Sequence, residues 1–471
     1  MQYISTRGQA PKIGFCDVLL AGLARDGGLY VPETWPKLGE SAVGAAVGLA
    51  KNSAAASYAQ KAASIMSPFV GAEIDQQIFE QLCVDAYSTF RHPEVAPLVE
   101  IGPNEYLLEL FHGPTLAFKD VALQLVGKLF DHVLMQRGQR VMIVGATSGD
   151  TGGAAFDGVA SCRNVDIVML YPNNRVSDVQ RRQMTTLTAP NVHAVAVDGT
   201  FDDCQDLVKA MFNDQKFRDA NQLSAVNSIN WVRVMAQVVY YVTAIEKLGR
   251  AAVFSVPTGN FGNVLAGWIA KKMGAQIEGF VVASNTNDIL TRFFESKQMT
   301  ANEVVPTLSP SMDIQVSSNF ERLLFETNNR DGAATAKQLT DFRATGKLEV
   351  AANVYQKWFE GVFVGRRCND EQTLATMQDV YKQSAMLIDP HTAVGLSAAR
   401  QSAGVDYPKN MPMITLATAH PAKFPDAVFR ATGQTPKLPE HLADLMSRPE
   451  RSDSLPNDLG AVQAFVASCR K

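Results

Sequence analysis

The stretch ELFHGPTLAFKDVA, residues 109–122, puts a lysine where lysines are poorly solvated. Lys119 follows the apolar Leu116, Ala117 and Phe118, the Gly113–Pro114 turn precedes them, and an amphipathic helix begins at Asp120. Two explanations fit such a residue. Its charge swings out into water, or the position requires a nucleophilic amine.

Three other segments carry groups that could meet anions. In VGATSGDTGGAA, residues 144–155, the hydroxyls of Thr147, Ser148 and Thr151 lie among glycines that let backbone amides approach an anion. The same residue types also make ordinary helix caps. The loop has neither the Lys-Ser/Thr pair of a nucleoside triphosphate loop nor the GxSxG spacing of a nucleophile elbow. In VPTGNFGNVLAG, residues 256–267, Gly259, Asn260, Phe261, Gly262 and Asn263 join a strand to a helix, which turns successive N–H groups onto one phosphate. Without GxGxxG spacing, a single phosphate is expected there, not a pyrophosphate. In NSINWVR, Asn227, Ser228 and Asn230 precede a helix whose first turn holds Arg233. A cation there opposes the helix dipole and needs a partner, either a surface carboxylate or a phosphate dianion suited to the guanidinium fork.

A lysine amine, a cup for one phosphate and a second anion site together point to pyridoxal phosphate, whose aldehyde joins an amine and whose ring stores a carbanion's electrons. Positioning them requires strands that end in these loops. EYLLELF, RVMIVGA, VDIVMLYP, VHAVAVDG, AAVFSVPTG and IEGFVVASN read as buried strands. Helical periods between them close on Gly138 and Gly249. The alternation predicts an α/β fold of two mostly parallel open-sheet lobes with helices on both faces, ligands sitting at the carboxyl ends of the strands. An N-terminal lobe over 1–100 includes an alanine-rich helical stretch at 41–64. Residues 136–234 form a small lobe, and 101–135 with 235–471 a large one carrying a helical insertion at about 286–385.

The totals fit a soluble enzyme. The chain has 471 residues, 46% hydrophobic and 19% charged, with a formal net charge of -4. Neither a nucleic-acid nor a membrane partner nor a signal peptide is expected. Six separated cysteines and seven histidines form no metal spacing, so no metal site is expected and the thiols read as free in a reducing, cytoplasmic compartment.

The sequence resembles the threonine synthases, within the tryptophan-synthase-like group (fold type II) of pyridoxal phosphate enzymes. YISTRG with GLARDGGLYVP, FHGPTLAFKD, GATSGDTGGAA, NSINW, PTGNFGN and SPSMDIQVSSNFERLLFE carry the likeness nearly end to end. The resemblance implies that Lys119 is the Schiff-base lysine with Phe118 beside it, and that Gly259 to Asn263 hold the cofactor phosphate. It implies Asp150 near the ring hydroxyl, where the wider group has asparagine, and Thr418 at the pyridine nitrogen. Thr147, Ser148 and Thr151 with Asn227, Ser228 and Arg233 match residues holding the carboxylate and phosphate of O-phospho-L-homoserine, which the family converts with water to L-threonine and phosphate. A monomer or homodimer is expected. A serine or threonine dehydratase and a noncatalytic phosphate-ligand binding protein are the rival readings. His112, His391 and His420 are expected at most to line the pocket, and Lys423 to lie at the surface or in packing.

Overall fold

The computed structural model describes residues 1–38 and 56–470. Most of the alanine-rich stretch 41–64 lies outside the described residues. Its end enters the helix Tyr58–Val70, which opens on a capping box at Ser57.

Two sheets organise the chain. The larger runs in the order Phe363–Arg367, Ile277–Ser284, Ala252–Pro257, Met413–Ala417, Glu105–Glu109, Leu98–Gly102, the last strand antiparallel and the others parallel. The smaller is parallel throughout, in the order Asp453–Pro456, Val192–Asp198, Val165–Pro172, Val141–Ala146, Leu223–Ser224. Val165–Pro172 and Ala252–Pro257 are buried at every residue, which is why their sequences run apolar without alternation. Alternate residues still face different layers. Met142, Val144, Val168 and Leu170 pack with Leu207, Met211, Val462 and Val466, whereas Ile143, Ile167 and Met169 join the main core with Leu125, Leu129 and Phe156.

Two boundaries differ from the sequence expectation. Phe363–Arg367, inside the stretch read as a helical insertion, is an edge strand of the large sheet paired with Ile277–Ser284. A short edge strand ending in two arginines carries little apolar pattern. At the carboxyl end, Asp453–Pro456 pairs with Val192–Asp198, and Leu459–Cys469 packs on the small sheet's helix Phe201–Asn213. These last residues belong with the small lobe, not the large one.

Helices Lys119–Arg137 and Asp150–Val159 cross in backbone contact. A Cβ on Gly127 would stand 1.8 Å from the Gly158 carbonyl oxygen, and one on Gly158 2.5 Å from that of Leu123. Glycine at both positions permits the approach and brings the amino-terminal residues of the two helices together. Gly138 and Gly249 end their helices in the left-handed region, as expected. All six cysteines are free and buried. Among the described residues no helix is long and apolar enough to cross a membrane, and no acidic, histidine or cysteine cluster could hold a metal.

Candidate active site

Lys119 is held by its turn. Leu116 adopts φ 63°, and its carbonyl oxygen accepts the His420 amide at 3.0 Å, while the Phe118 amide donates to the Thr418 carbonyl at 2.9 Å. Asp120 reaches back to close the loop, accepting the Thr115 amide at 2.8 Å and the Thr115 hydroxyl at 2.5 Å. The lysine is thereby seated at the carboxyl end of Met413–Ala417 and cannot swing into water; it is 9% exposed. Its Nζ lies 4.7 Å from the centre of the Phe118 ring.

The glycine crossing sets Asp150 opposite. Lys119 Nζ donates to Asp150 Oδ2 at 3.2 Å. The Asp150 carboxylate also accepts Gln180 Nε2 at 2.8 Å and the Ser311 hydroxyl at 3.2 Å, and forms an ion pair with Lys423 Nζ at 3.0 Å. Burial alone would raise the Asp150 pKa, but Lys119 and Lys423 together hold it well below the usual carboxylate range. For Lys119, burial is the main influence and lowers its pKa. Asp150 opposes that shift, and Lys423 and Arg233 add to it. A buried amine with weakened hold on its proton is what a nucleophile or base requires.

Of the surface and packing alternatives expected for Lys423, the structure shows packing, in contact with the site. It is 0% exposed, and its ammonium meets the Thr115 carbonyl at 2.7 Å and Gln183 Oε1 at 2.8 Å besides Asp150. Its sequence did carry a signal, since HPAKF follows a buried strand and sets a lysine in a small-residue loop as FHGPTLAFKD does. Ser311, Gln180 and Gln183 have no such signal. His391 is buried against Asp389, Nδ1 to Oδ1 at 2.9 Å, and its Nε2 accepts the Ser311 amide at 3.3 Å. It therefore steadies the Ser311 loop. Burial lowers the His420 pKa to about 4, and its Nδ1 accepts the Ala422 amide. His112 pairs with Glu109 at 2.8 Å.

Gly259 to Asn263 form a cup at the end of Ala252–Pro257. Phe261 is buried at φ 60° and opens the helix Gly262–Met273, whose first amides have no intrahelical acceptor. A Cβ on Gly259 would come within 3.0 Å of the Ser311 carbonyl oxygen. Asn263 turns its Oδ1 to the Tyr240 and Tyr241 hydroxyls and leaves a buried Nδ2 without a partner. Free amides and an orphaned amide nitrogen at a helix start fit a phosphate group.

At the second anion loop, Asn230 caps the helix Trp231–Leu248 by accepting the Val232 amide at 3.0 Å. Arg233 is 3% exposed and pairs with no carboxylate among the described residues, which overturns the surface-carboxylate alternative. Its Nη1 donates to the Val226 carbonyl at 2.9 Å, and its buried Nε has no partner. Desolvation lowers its pKa to about 10. Thr147 uses its hydroxyl oxygen to accept the Gly149 and Gly152 amides, each at 2.9 Å, so it shapes its loop with one proton left to donate. Ser148 is exposed, and Thr151, Asn227 and Ser228 are partly so. Thr418 is buried beside Phe118.

A segment that the site reading had not included ties the two anion loops together. Asn319 donates its amide N–H to the Asn260 carbonyl at 3.1 Å and Nδ2 to the Ser228 carbonyl at 3.0 Å. Ser317 donates to the Gly259 carbonyl. Arg322 accompanies them, fully buried, with Nη2 on the Ile229 carbonyl at 2.7 Å and Nε on that of Tyr30 at 3.0 Å.

Three family models match the chain in succession: "Threonine synthase N terminus" over residues 2–87, "Pyridoxal-phosphate dependent enzyme" over 94–344 and "Threonine synthase, C-terminal" over 392–466. The chain is 53% identical to threonine synthase of Pseudomonas aeruginosa, covering 99% of this chain and 98% of that one. With the enzyme of Saccharomyces cerevisiae it shares 41% identity over 91% and 88% of the two chains. Its structure matches pyridoxal-phosphate-bound threonine synthase from Brucella melitensis with a TM-score of 0.94 at 50% identity, all of both chains being covered. The chain belongs to the threonine synthase family of pyridoxal-phosphate-dependent enzymes.

Proposed function

We propose that this site converts O-phospho-L-homoserine and water to L-threonine and inorganic phosphate, the phosphate leaving Cγ and the hydroxyl arriving at Cβ. Pyridoxal phosphate, when bound, supplies an aldehyde for an amine and a ring that takes up a carbanion's electron pair. Lys119 is the amine, and its weakened hold on a proton suits a base acting at Cα and then at Cβ. The Gly259 to Asn263 amides hold the cofactor phosphate. Phe118 and Asp150 flank the lysine, and the Thr418 hydroxyl would meet the ring nitrogen of a bound cofactor, where it would leave that nitrogen less protonated than a carboxylate would. Thr147, Ser148 and Thr151 with Asn227, Ser228 and Arg233 receive the substrate's carboxylate and phosphate, and Arg233 meets the departing charge. Six buried free thiols support action in the cytoplasm.

Arg233 carries this reading. A buried guanidinium with an unpaired Nε is prepared for a dianion, and a dehydratase substrate without phosphate leaves it unmatched. The test measures phosphate and threonine from phosphohomoserine in wild type and Lys119→Ala. Wild type is expected to release both in equal amounts, and the variant to lose turnover and the visible absorption of the bound cofactor. Turnover of serine or threonine without phosphohomoserine activity sinks the proposal.

A further inference from the structure

Asp150 stands between two lysines that differ in how completely they are bound. Lys423 meets the Thr115 carbonyl at 2.7 Å, Gln183 Oε1 at 2.8 Å and Asp150 Oδ1 at 3.0 Å. Two neutral oxygens, Thr115 O and Gln183 Oε1, accept hydrogen bonds from it, and the carboxylate oxygen stands beside it as an ion pair, so every group around the amine is an acceptor. Gln183 is itself fixed, since its Nε2 donates to the same Thr115 carbonyl at 3.0 Å. Lys423 is thus held in place with no exposed surface. Lys119 meets a single oxygen, Asp150 Oδ2, at 3.2 Å.

The arrangement decides which lysine can lose its proton. If Asp150 faced Lys119 alone, the pair would form a buried ion pair that holds the proton on Lys119. With Lys423 fixed on the other carboxylate oxygen, much of that negative charge is already balanced. We propose that Lys423 is a positioning residue that balances the Asp150 carboxylate from its Oδ1 side and so frees Lys119, on Oδ2, to act as an unprotonated amine in a closed site.

Other charges around the pair act in the same direction or are remote. Arg233 faces Lys119 and also disfavours its charged form. His391 acts on Asp150, and Asp120 and His420 are the remaining titratable neighbours of Lys423. Gln180 and Ser311 are uncharged, so Lys423 is the full charge in direct contact with Asp150 besides Lys119 itself.

This inference rests on the reading of Lys119 as the reactive amine, and the two can fail separately. The experiment follows the visible absorption of the holoenzyme against pH, which reports the protonation of the Lys119 nitrogen, together with the pH profile of kcat. In Lys423→Met the absorption midpoint and the acid limb of kcat are expected to move up by about one pH unit or more. Lys423→Arg keeps the charge and is expected to lie between wild type and Lys423→Met. Asp150→Asn removes the anion and is expected to move the midpoint down, which keeps the idea testable should Lys423→Met not fold. An absorption midpoint that stays in place in Lys423→Met, or that fails to fall in Asp150→Asn, overturns the role of Lys423 whatever happens to the rate. A Lys119→Ala protein that keeps the visible band overturns the underlying reading instead.

Discussion

Arg233 Nη1 donates to the carbonyl oxygen of Val226 at 2.9 Å, and this neutral contact is the hydrogen bond by which the buried guanidinium is held, its Nε being left without a partner. A charge kept out of water with so little compensation destabilises the fold in the absence of an anion. Arg233→Met is therefore expected to raise stability in phosphate-free buffer by about 1–3 kcal/mol. It is expected to lower kcat/KM for phosphohomoserine about a hundredfold or more, as loss of a charge-assisted contact would. Denaturant titration and steady-state kinetics on the same preparation check both signs. A variant less stable than wild type contradicts the argument.

Arg322 is an equally buried guanidinium with the opposite expected sign. Desolvation lowers its pKa to about 9, yet it serves the Tyr30 and Ile229 carbonyls and Asn319 Oδ1. Removing it orphans three acceptors. Arg322→Met is expected to destabilise by about 2–4 kcal/mol. Because Asn319 and Ile229 support the two anion loops, cofactor affinity and KM should suffer more than kcat. A variant with unchanged KM and halved kcat would separate Arg322 from those loops.

Asp120 gives stability a pH dependence. Burial raises its pKa to about 7, with the Thr115 donors and Lys423 pulling the other way, against about 3.9 unfolded. Between those values the folded chain binds a proton that the unfolded chain has lost, so this residue's contribution falls as pH rises from about 4 to 7 and is level above. His420, lowered to about 4, has the opposite sign over much of that window. The quantity to read is thus the difference between wild type and Asp120→Asn. Wild type should lose ground to the variant by a few kcal/mol between about pH 4.5 and 7.5. Equal pH slopes in denaturant titrations would rule this out.

Legibility in the sequence followed the physical cause of each feature. Val165–Pro172 and Ala252–Pro257 could be read because strands covered on both faces must be apolar throughout. Gly138 and Gly249 could be read because a left-handed cap favours glycine. Lys119 stood out because its local sequence explains nothing about it. Asp453–Pro456 could not be read, since a mostly exposed strand ending in proline owes its conformation to its partner Val192–Asp198. Lys423 was passed over because lysines are rarely buried, and only the three-dimensional neighbours Thr115, Gln183 and Asp150 show why this one is. Ser311 reaches Asp150 across 161 residues of sequence, a distance no local pattern spans.

The glycine crossing makes a last prediction that joins fold to chemistry. Gly127 lies mid-helix, where alanine would ordinarily stabilise by about 1 kcal/mol. Here the added methyl of Gly127→Ala would meet the Gly158 carbonyl oxygen, rigid backbone that can yield only if the helices separate. The expected net change is a loss of about 1–3 kcal/mol, as for overpacking in a core. Separation would also draw Asp150 from Lys119, both being at the amino-terminal ends of the crossing helices. The variant should therefore lose kcat along with stability at temperatures where it remains folded. Thermal unfolding and turnover measured for Gly127→Ala beside the control Gly138→Ala, whose Cβ position is open, distinguish contact from backbone strain. If the crossing matters as described, the control loses some stability through its positive φ and keeps its kcat.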